Sequence, residues 1–306
     1  MPADKETLRS RLLEAGAVAV GFADAAPLPE SEIRRLDDWI AAGCNAGMDW
    51  MSRHAALRAD PANVLPGVRT VISCAFSYTP LEVRDPGLPH ISRYAYGEDY
   101  HTVLREVITE ALADTMPAGE WRVCVDSAPL SERYWATRAG IGFLGDNGAL
   151  IVPGVGCEVF LAEVLTTMAY DADEPSAGEC LHCGACRTAC PTGAMLPSGR
   201  IDCSRCISYL TIEHRGEWSD PEAIRAMATP AGQNALFGCD ACISACPLNT
   251  GKHDLTLPRF RPLPQVMGIG KEIPDCSNRG FSRLFAGSAL LRAGRQGLMR
   301  NARNLK

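Results

Sequence analysis

Segments with helix-like and strand-like spacing of hydrophobic residues alternate along the first 175 positions of the chain. Hydrophobic positions that recur every three or four residues predict helices, whereas short runs rich in β-branched and aromatic residues predict strands. The helices predicted in this way span 5–14, 31–42 (with Ser31 as the N-cap), 100–116 and 131–139. The predicted strands span 18–22, 70–78, 121–125, 149–152 and 159–165. This alternation predicts a layered domain of the α/β or α+β class.

The pattern changes after position 170. Residues 170–178 are rich in Asp, Glu, Pro, Ser and Gly, which predicts a linker. A cysteine-rich stretch follows to about residue 250, and from residue 281 onward the spacing predicts one or two basic helices. We therefore predict three parts: a layered domain over 1–175, a cysteine-rich domain over 176–256 and a basic helical segment over 257–306.

The composition suits a globular protein. The chain has 306 residues, of which 46% are hydrophobic and 22% charged, enough for two domain cores. No apolar run approaches the roughly 18–20 residues that a membrane span needs. Residues 1–16 predict an amphipathic helix, without the apolar core of a signal peptide or a twin-arginine leader. We therefore expect a cytoplasmic location and no contact with a membrane.

Charge is distributed unevenly. Residues 259–306 contain ten Lys and Arg against two acids, a net charge of +8. Subtracting this from the net charge of −6 for the whole chain leaves −14 for residues 1–258. An acidic body with a basic end predicts a polyanionic partner that contacts that end.

The chain has 14 cysteines, and nine of them fall between positions 180 and 246. Clustered cysteines in a chain without an export signal are metal ligands more often than disulfide partners. The other five are scattered: Cys44, Cys74, Cys124, Cys157 and Cys276. Cys74 and Cys124 lie in strand-like runs, where a free cysteine acts as a small hydrophobic residue.

The spacing of the clustered cysteines is that of bacterial ferredoxins with two 4Fe-4S clusters. Cys180, Cys183, Cys186 and Cys190 are followed by Pro191, a spacing in which three cysteines bind one cluster and the fourth binds the other. Zinc is the alternative ligand of paired cysteines, but this run does not have a zinc spacing.

A second, incomplete motif consists of Cys239, Cys242 and Cys246 before Pro247. In a crossed arrangement Cys246 completes the first cluster, and Cys190 joins Cys239 and Cys242 in the second. The missing fourth ligand is then either Cys203 or Cys206, and the spacing does not choose between them.

Two further features could take part in chemistry. Gly140, Gly142 and Gly145 match a dinucleotide-binding pattern but follow a predicted helix instead of a strand, which favours a glycine-rich turn near a ligand. Asp126 ends a predicted strand. It is either a proton donor whose pKa is raised by partial burial or the cap of a turn or of the next helix. The histidines share no metal-binding spacing, and we expect His182, between cluster cysteines, to pack or hydrogen-bond there.

Six stretches together resemble the epoxyqueuosine reductase family: LRADPANVLPG (57–67), DSAPLSERYWATRAGIGFLGDNGALI (126–151), CLHCGACRTACPTGA (180–194), RCISYLTIEHRG (205–216), FGCDACISACPLN (237–249) and FAGSALLRAGRQGLMRNARN (285–304). The resemblance implies an α+β fold, with a nitroreductase-like domain that binds cobalamin and a ferredoxin-like domain with two 4Fe-4S clusters. It implies reduction of the epoxide of epoxyqueuosine at the wobble position of tRNA, with electrons passing through the clusters to cobalamin. Beyond tRNA, an unidentified electron donor is implied, and we expect a monomer.

The resemblance also assigns residues. It implies that Asp126 is the proton donor and that Cys206 is the isolated cluster ligand, with Cys203 a bystander. The implied clusters are then held by Cys180, Cys183, Cys186 and Cys246, and by Cys190, Cys206, Cys239 and Cys242. The implied cobalamin-binding residues are Arg58, Asp126, Leu150, Ser208 and Asp240, and Arg215 matches a position that meets tRNA.

Many family members continue into a helical-repeat domain that helps to hold tRNA, so the resemblance implies a short form in which the basic segment carries more of the binding. Two alternatives remain at this point. A reductive dehalogenase combines the same cofactors but usually has an export leader, and a plain electron-transfer ferredoxin would not need a layered domain of about 175 residues.

Overall fold

The computed structural model describes residues 3–196, 199–251, 253–270 and 277–306, so Lys271, Glu272, Asp275 and Cys276 lie outside it. The strands are β1 (Ala19–Asp24), β2 (Thr70–Ser77), β3 (His90–Ile91), β4 (Trp121–Cys124), β5 (Phe143–Leu144), β6 (Leu150–Ile151), β7 (Val159–Thr166) and β8 (Ala235–Phe237). The helices are α1 (Lys5–Glu14), α2 (Glu30–Ala41), α3 (Trp50–Arg53), α4 (Ala55–Arg58), α5 (Tyr100–Leu112), α6 (Glu132–Arg138), α7 (Ala185–Ala189), α8 (Ile207–Ile212), α9 (Pro221–Met227), α10 (Ala241–Ser244), α11 (Pro264–Met267), α12 (Asn278–Leu284) and α13 (Gly294–Arg303). Among the described residues, no helix is both long and apolar enough to cross a bilayer.

A four-stranded antiparallel sheet in the order β1-β2-β7-β4 forms the centre of the first domain. Alternate residues of a strand point to opposite faces, and both faces of this sheet are covered. Ile72, Phe76 and Val164 pack against α1 and α5 on one face. Val71 and Leu165 pack against α6 on the other. The α+β layered class predicted from the sequence is thereby confirmed.

Two predicted element ends are wrong for local reasons. Helix α2 begins at Glu30, and Pro29 is its N-cap without a side-chain hydrogen bond. The carbonyl of Pro29 accepts the first free N–H groups, so Ser31 lies inside the first turn and does not cap the helix. Helix α5 ends at Leu112, whose carbonyl accepts a hydrogen bond from the Thr115 hydroxyl. Such a side-chain bond competes with continued helix.

The predicted linker is hydrogen-bonded to the edge strand β1. The backbone N–H of Asp173 donates to the Phe22 carbonyl, and the Asp173 carboxylate accepts the Phe22 N–H at 2.9 Å. Lys5 and Arg9 of α1 form ion pairs with the same carboxylate. This segment is therefore part of the sheet's border.

The C-terminal segment packs on both preceding regions. Strands β3 and β8 pair in parallel, joining the layered domain to the cysteine-rich region. Phe281, Phe285 and Leu298 form a second core with Ile91 and Phe237 from those two strands. Contacts therefore cross both predicted boundaries, and the division at residues 175 and 256 stays a prediction.

Candidate active site

The first set of predicted cluster cysteines lines one pocket. Cys180, Cys183, Cys186 and Cys246 surround it. Helices α7 and α10, which carry the ends of the two motifs, lie side by side and so bring Cys246 to the other three. The four thiols are free of disulfides, and the backbone N–H of Asp146 donates to the Cys180 sulfur at 3.4 Å. The donor set fits a 4Fe-4S cluster, whose sulfurs accept such bonds.

The pocket has further polar neighbours. The ring Nδ1 of His182 lies 3.0 Å from the Asp146 carboxylate, so His182 hydrogen-bonds there as expected. Asp146, His182 and Cys180 place ligand atoms within 4.8 Å of one another. Gly145 also lines the pocket, so the glycine-rich turn does lie beside a ligand site.

The second set consists of Cys190, Cys206, Cys239 and Cys242. Burial raises the pKa of the Cys242 thiol to about 12, and charge on the other three sulfurs acts in the same direction. Burial opposes ionisation of Cys190 too, but N–H groups around Thr192 lower the pKa of this thiol below its usual range. Thiols whose charges raise the pKa of their neighbours are suited to a bound metal. The positive charge of a metal removes their protons outright, and the resulting thiolates are its ligands.

The structure separates the two candidates for the fourth ligand. Burial raises the pKa of the Cys206 thiol, and charge on Cys190, the other predicted ligand, acts in the same direction. Cys203 instead lies in a hydrophobic cluster with Leu210 and Met227. Burial raises the pKa of the Cys203 thiol to about 12, and charge on Cys206 and then Asp202 acts in the same direction. The arrangement favours Cys206, as the resemblance implied.

Asp126 lies in a strained turn directly after β4. It has a φ of 48°, and the Ser127 N–H bonds to the Val125 carbonyl across it, as in a γ-turn. Such turns with positive φ are rare for residues other than glycine and occur at functional sites. The Asp126 side chain is 60% exposed and does not cap helix α6, whose N-cap Ser131 makes no side-chain bond. Asp126 is therefore not the cap of helix α6.

A chain of three side chains holds the Asp126 carboxylate. His101 Nε2 lies 3.0 Å from Asp126 Oδ2, and His101 Nδ1 lies 2.7 Å from Asp99 Oδ1. Burial lowers the pKa of His101, but these two carboxylates outweigh it and raise that pKa to about 9. Burial raises the pKa of Asp126, but the His101 contacts outweigh it and lower that pKa. The raised pKa expected for Asp126 is therefore wrong, since at neutral pH the proton of the pair is on His101.

Charged side chains from three segments face Asp126. Glu132, at the start of α6, accepts a hydrogen bond from the Asp126 N–H through Oε1. Burial, and then the Asp126 charge, raises the pKa of Glu132 to about 8. Burial lowers the pKa of Arg58, and charge on Glu132 and Asp126 partly offsets this. Arg292, from the C-terminal segment, lowers the pKa of Asp126 in addition to His101 and Tyr100. We call this group the Asp126 site.

The structure brings some of the other predicted cofactor residues close to the clusters. Ser208 is half-buried in α8, two residues after Cys206. The Asp240 carboxylate, next to Cys239, accepts the Arg93 N–H at 2.9 Å and so ties the cluster loop to the layered domain. Leu150 is different, since its side chain is buried in a hydrophobic cluster away from any open surface.

Arg215, predicted to meet tRNA, has an internal role as well. Its guanidinium donates to the backbone carbonyls of Ile212, Arg292 and Ala293. It thereby fixes the turn that presents Arg292, whose own side chain pairs with Glu213 at 2.7 Å.

Sequence reasoning missed His101, Glu132 and Arg292. His101 stands alone in the sequence, and its ring is placed by Asp99 and Asp126, which are brought to it by the fold. Glu132 looks like an ordinary first-turn acid of a helix, and its bond to Asp126 arises from the fold of the turn. None of these three residues belongs to a motif with regular spacing along the sequence, which could have identified it.

Two sets of four cysteines, together with a hydrogen-bonded carboxylate on an α+β domain, define an iron–sulfur oxidoreductase. The profile of the 4Fe-4S double cluster binding domain matches residues 179–249, which confirms the two predicted clusters. The profile described as epoxyqueuosine reductase QueG, DUF1730, matches residues 58–127. The chain belongs to the epoxyqueuosine reductase family.

Similar proteins cover nearly the whole chain. The epoxyqueuosine reductase of Gloeobacter violaceus is 36% identical over 97% of this chain and 94% of its own length. A crystal structure of epoxyqueuosine reductase with an epoxyqueuosine-modified tRNA-Tyr stem loop has a TM-score of 0.83 and 30% identity, covering 98% of this chain and 80% of that one. A Bacillus subtilis epoxyqueuosine reductase, described with its catalytic aspartate loop swung out of the active site, has a TM-score of 0.84, 30% identity and the same coverage. These comparisons favour neither of the two alternatives.

Proposed function

We propose that this protein reduces epoxyqueuosine in tRNA to queuosine. The observation that carries the proposal is the Asp126–His101 pair, an exposed carboxylate hydrogen-bonded to a histidine that holds a proton, in a family member with two cluster sites. Removing the epoxide oxygen as water consumes two electrons and two protons. When bound, the clusters supply single electrons and cobalamin supplies the reduced centre that acts on the epoxide.

The Asp126 site fits cobalamin as the second cofactor. The Nε of Arg58 is buried without a hydrogen-bond partner among the described residues, so a donor is left over beside Asp126. Buried donors are normally satisfied, and an orphan one calls for a ligand. Amide and phosphate oxygens at the rim of cobalamin accept such donors. Arg58 would hold the cofactor there, with Ser208 and Asp240 on the cluster side.

Protons reach the substrate through Asp126. His101 Nε2 holds a proton at neutral pH and donates it to Asp126 Oδ2, and we infer that the carboxyl group then delivers a proton to the leaving oxygen. Because the pKa of His101 is raised to about 9, the protonated form of His101 is present below that pH and is lost as pH rises through it.

A His101→Gln variant keeps a side-chain hydrogen bond to Asp126 but cannot carry the proton. We expect turnover to fall by about 100-fold, the lower end of what general acid catalysis contributes. The alkaline decline near pH 9 should also disappear from the pH profile of turnover. An unchanged profile in the variant would remove His101 from the proton path.

The basic segment is only partly available to tRNA. Arg259 pairs with Glu98 and Glu106, and Arg303 pairs with Glu217. Arg300 is buried and donates to three backbone carbonyls. By contrast, Arg279 and Arg283 are exposed on α12. We propose that these two arginines contact phosphates, with Arg215 and Arg292 near the reacting nucleoside.

Changing both Arg279 and Arg283 to Glu should weaken tRNA binding and reduce the dependence of affinity on salt. Each lost phosphate contact lowers the slope of log affinity against log salt by about 1. Binding is measured at several salt concentrations. The matched control reverses Arg11 and Arg34, exposed arginines of α1 and α2. Equal effects of the two double variants would contradict a specific role for α12.

We further propose that the protein works as a cytoplasmic monomer with a separate electron donor. The proposed tRNA substrate supports the compartment, as does a run of cysteines with cluster-binding spacing. Cys183 is exposed at the first cluster pocket, where a donor protein could approach.

The proposed function is tested directly by loading the protein with iron, sulfide and cobalamin and adding a chemical reductant and tRNA that contains epoxyqueuosine. Digested tRNA is then analysed for queuosine. We expect queuosine only when both cofactors and reductant are present. Failure to form it with both cofactors verified as bound would overturn the proposal.

A further inference from the structure

Two acidic side chains meet beneath the Asp126 turn. Glu163 lies in the middle of β7 and is 0% exposed. It stands opposite Ser73 of β2 and Cys124 of β4, on the sheet face that α6 covers. A carboxyl group in the core of a sheet is rare, because burying an isolated charge is very costly.

No N–H or O–H of the described residues donates to either oxygen of Glu163. Even the neighbouring Ser73 hydroxyl is buried without a partner. The titratable group next to Glu163 on the same sheet face is the thiol of Cys124 in β4, whereas the Cys74 thiol of β2 lies on the opposite face. Helix α6 packs on β7, and burial, together with the carboxyl of Glu132 at the start of that helix, raises the pKa of Glu163. Two carboxylates in contact cannot both be charged, so a proton lies between them.

Glu132 connects this buried acid to the Asp126 turn. Its Oε1 accepts the Asp126 N–H at 2.5 Å. Arg58 and Arg133 are the cations beside it, and each donates to a backbone carbonyl, those of Leu130 and Gly148. The Asp126 backbone is therefore joined, through Glu132, to the middle of the central strand.

We propose that Glu163 is a positioning residue that stays protonated at neutral pH and donates a hydrogen bond through its O–H to Glu132. This hydrogen bond fixes Glu132 where it accepts the Asp126 N–H. Burial raises the pKa of Glu163 well above its usual range, and charge on Glu132 acts the same way. The bond to Glu132 offsets the strain of the positive φ at Asp126 and keeps its carboxylate beside His101. The importance of this for catalysis rests on the proposed function, but the position of the turn can be measured without turnover.

Two substitutions separate the hydrogen bond from the volume of the side chain. Glu163→Gln keeps a permanent donor to Glu132, whereas Glu163→Leu fills similar space without one. Ser73→Ala is the control, since it removes a neighbouring buried polar atom that lacks a partner. Amide hydrogen exchange of residues 125–131 is measured by mass spectrometry on the full chain with its clusters loaded.

We expect exchange at the Asp126 amide to be about tenfold faster or more in the Leu variant, the effect of losing one hydrogen bond. The Gln variant and the Ser73→Ala variant should match the unmodified protein. Equal exchange in the Leu variant and the unmodified protein, or equally fast exchange in both Glu163 variants, would overturn the proposal.

Infrared spectroscopy gives a second measurement that does not need the Leu variant to fold. The unmodified protein should have a carbonyl band of buried protonated carboxylic acid at pH 7, and the Gln variant should lose the Glu163 contribution to it while keeping the Asp126 amide protected. An undiminished band in the Gln variant would refute a proton on Glu163. If the unmodified protein forms no queuosine, the proposed function fails, but these two measurements still decide the role of Glu163.

Discussion

Replacing Asp126 with Asn will leave both clusters bound and lower the turnover of epoxyqueuosine in tRNA by about 100-fold or more, the range that general acid catalysis contributes. The amide has nearly the shape of the carboxyl group, so the turn and its bond to Glu132 should persist. It cannot, however, take a proton from His101 and pass it on.

The measurement compares queuosine formation with the cluster absorbance and cobalamin content of the same preparations. Asp114→Asn serves as the control, because Asp114 is an exposed aspartate of the same domain just after α5. Full turnover in the Asp126 variant would end its assignment as proton donor. Loss of either cofactor would instead assign Asp126 a role in binding.

Replacing Cys206 with Ala will remove one of the two clusters and stop turnover, whereas replacing Cys203 with Ala will leave both clusters in place. The two residues are three positions apart, and both are free thiols in a partly apolar environment. Besides burial, charge on Cys206 raises the pKa of the Cys239 and Cys242 thiols, which favours Cys206 as their fellow ligand. This makes the pair a matched test of the ligand assignment.

Iron and sulfide analysis should give half of the normal content for the Cys206 variant and the full content for the Cys203 variant. Electron paramagnetic resonance of the reduced proteins identifies which cluster signal is lost. Retention of both clusters without Cys206, or loss of one without Cys203, would reverse the assignment. Because electrons pass through both clusters in the proposed function, turnover should follow cluster content.

The sequence predicted those features that depend on neighbours along the chain. The two long central strands were predicted to within a residue, because β2 and β7 are mostly apolar and both faces of the sheet are covered. The crossed pairing of Cys246 with Cys180 follows from motif spacing alone, and the pocket places these sulfurs together.

Features that depend on tertiary packing could not be predicted. The charge state of Asp126 is set by His101, 25 positions away, so a pKa argument from the strand end alone gave the wrong direction. The choice of Cys206 over Cys203 came from a family resemblance and not from spacing. Glu163 gave no signal, because an acid within an apolar run looks like a residue on an exposed face.

The Asp173 segment also has a consequence for solubility. Strand β1 is at the edge of the sheet. Without a neighbour, the outer side of such a strand presents a row of unpaired backbone donors and acceptors, through which sheets of different molecules can join and aggregate. Asp173 occupies both hydrogen-bonding groups of Phe22, and Lys5 and Arg9 hold it in place. A stretch that looks like a spacer between domains thus blocks the edge against pairing with a second molecule.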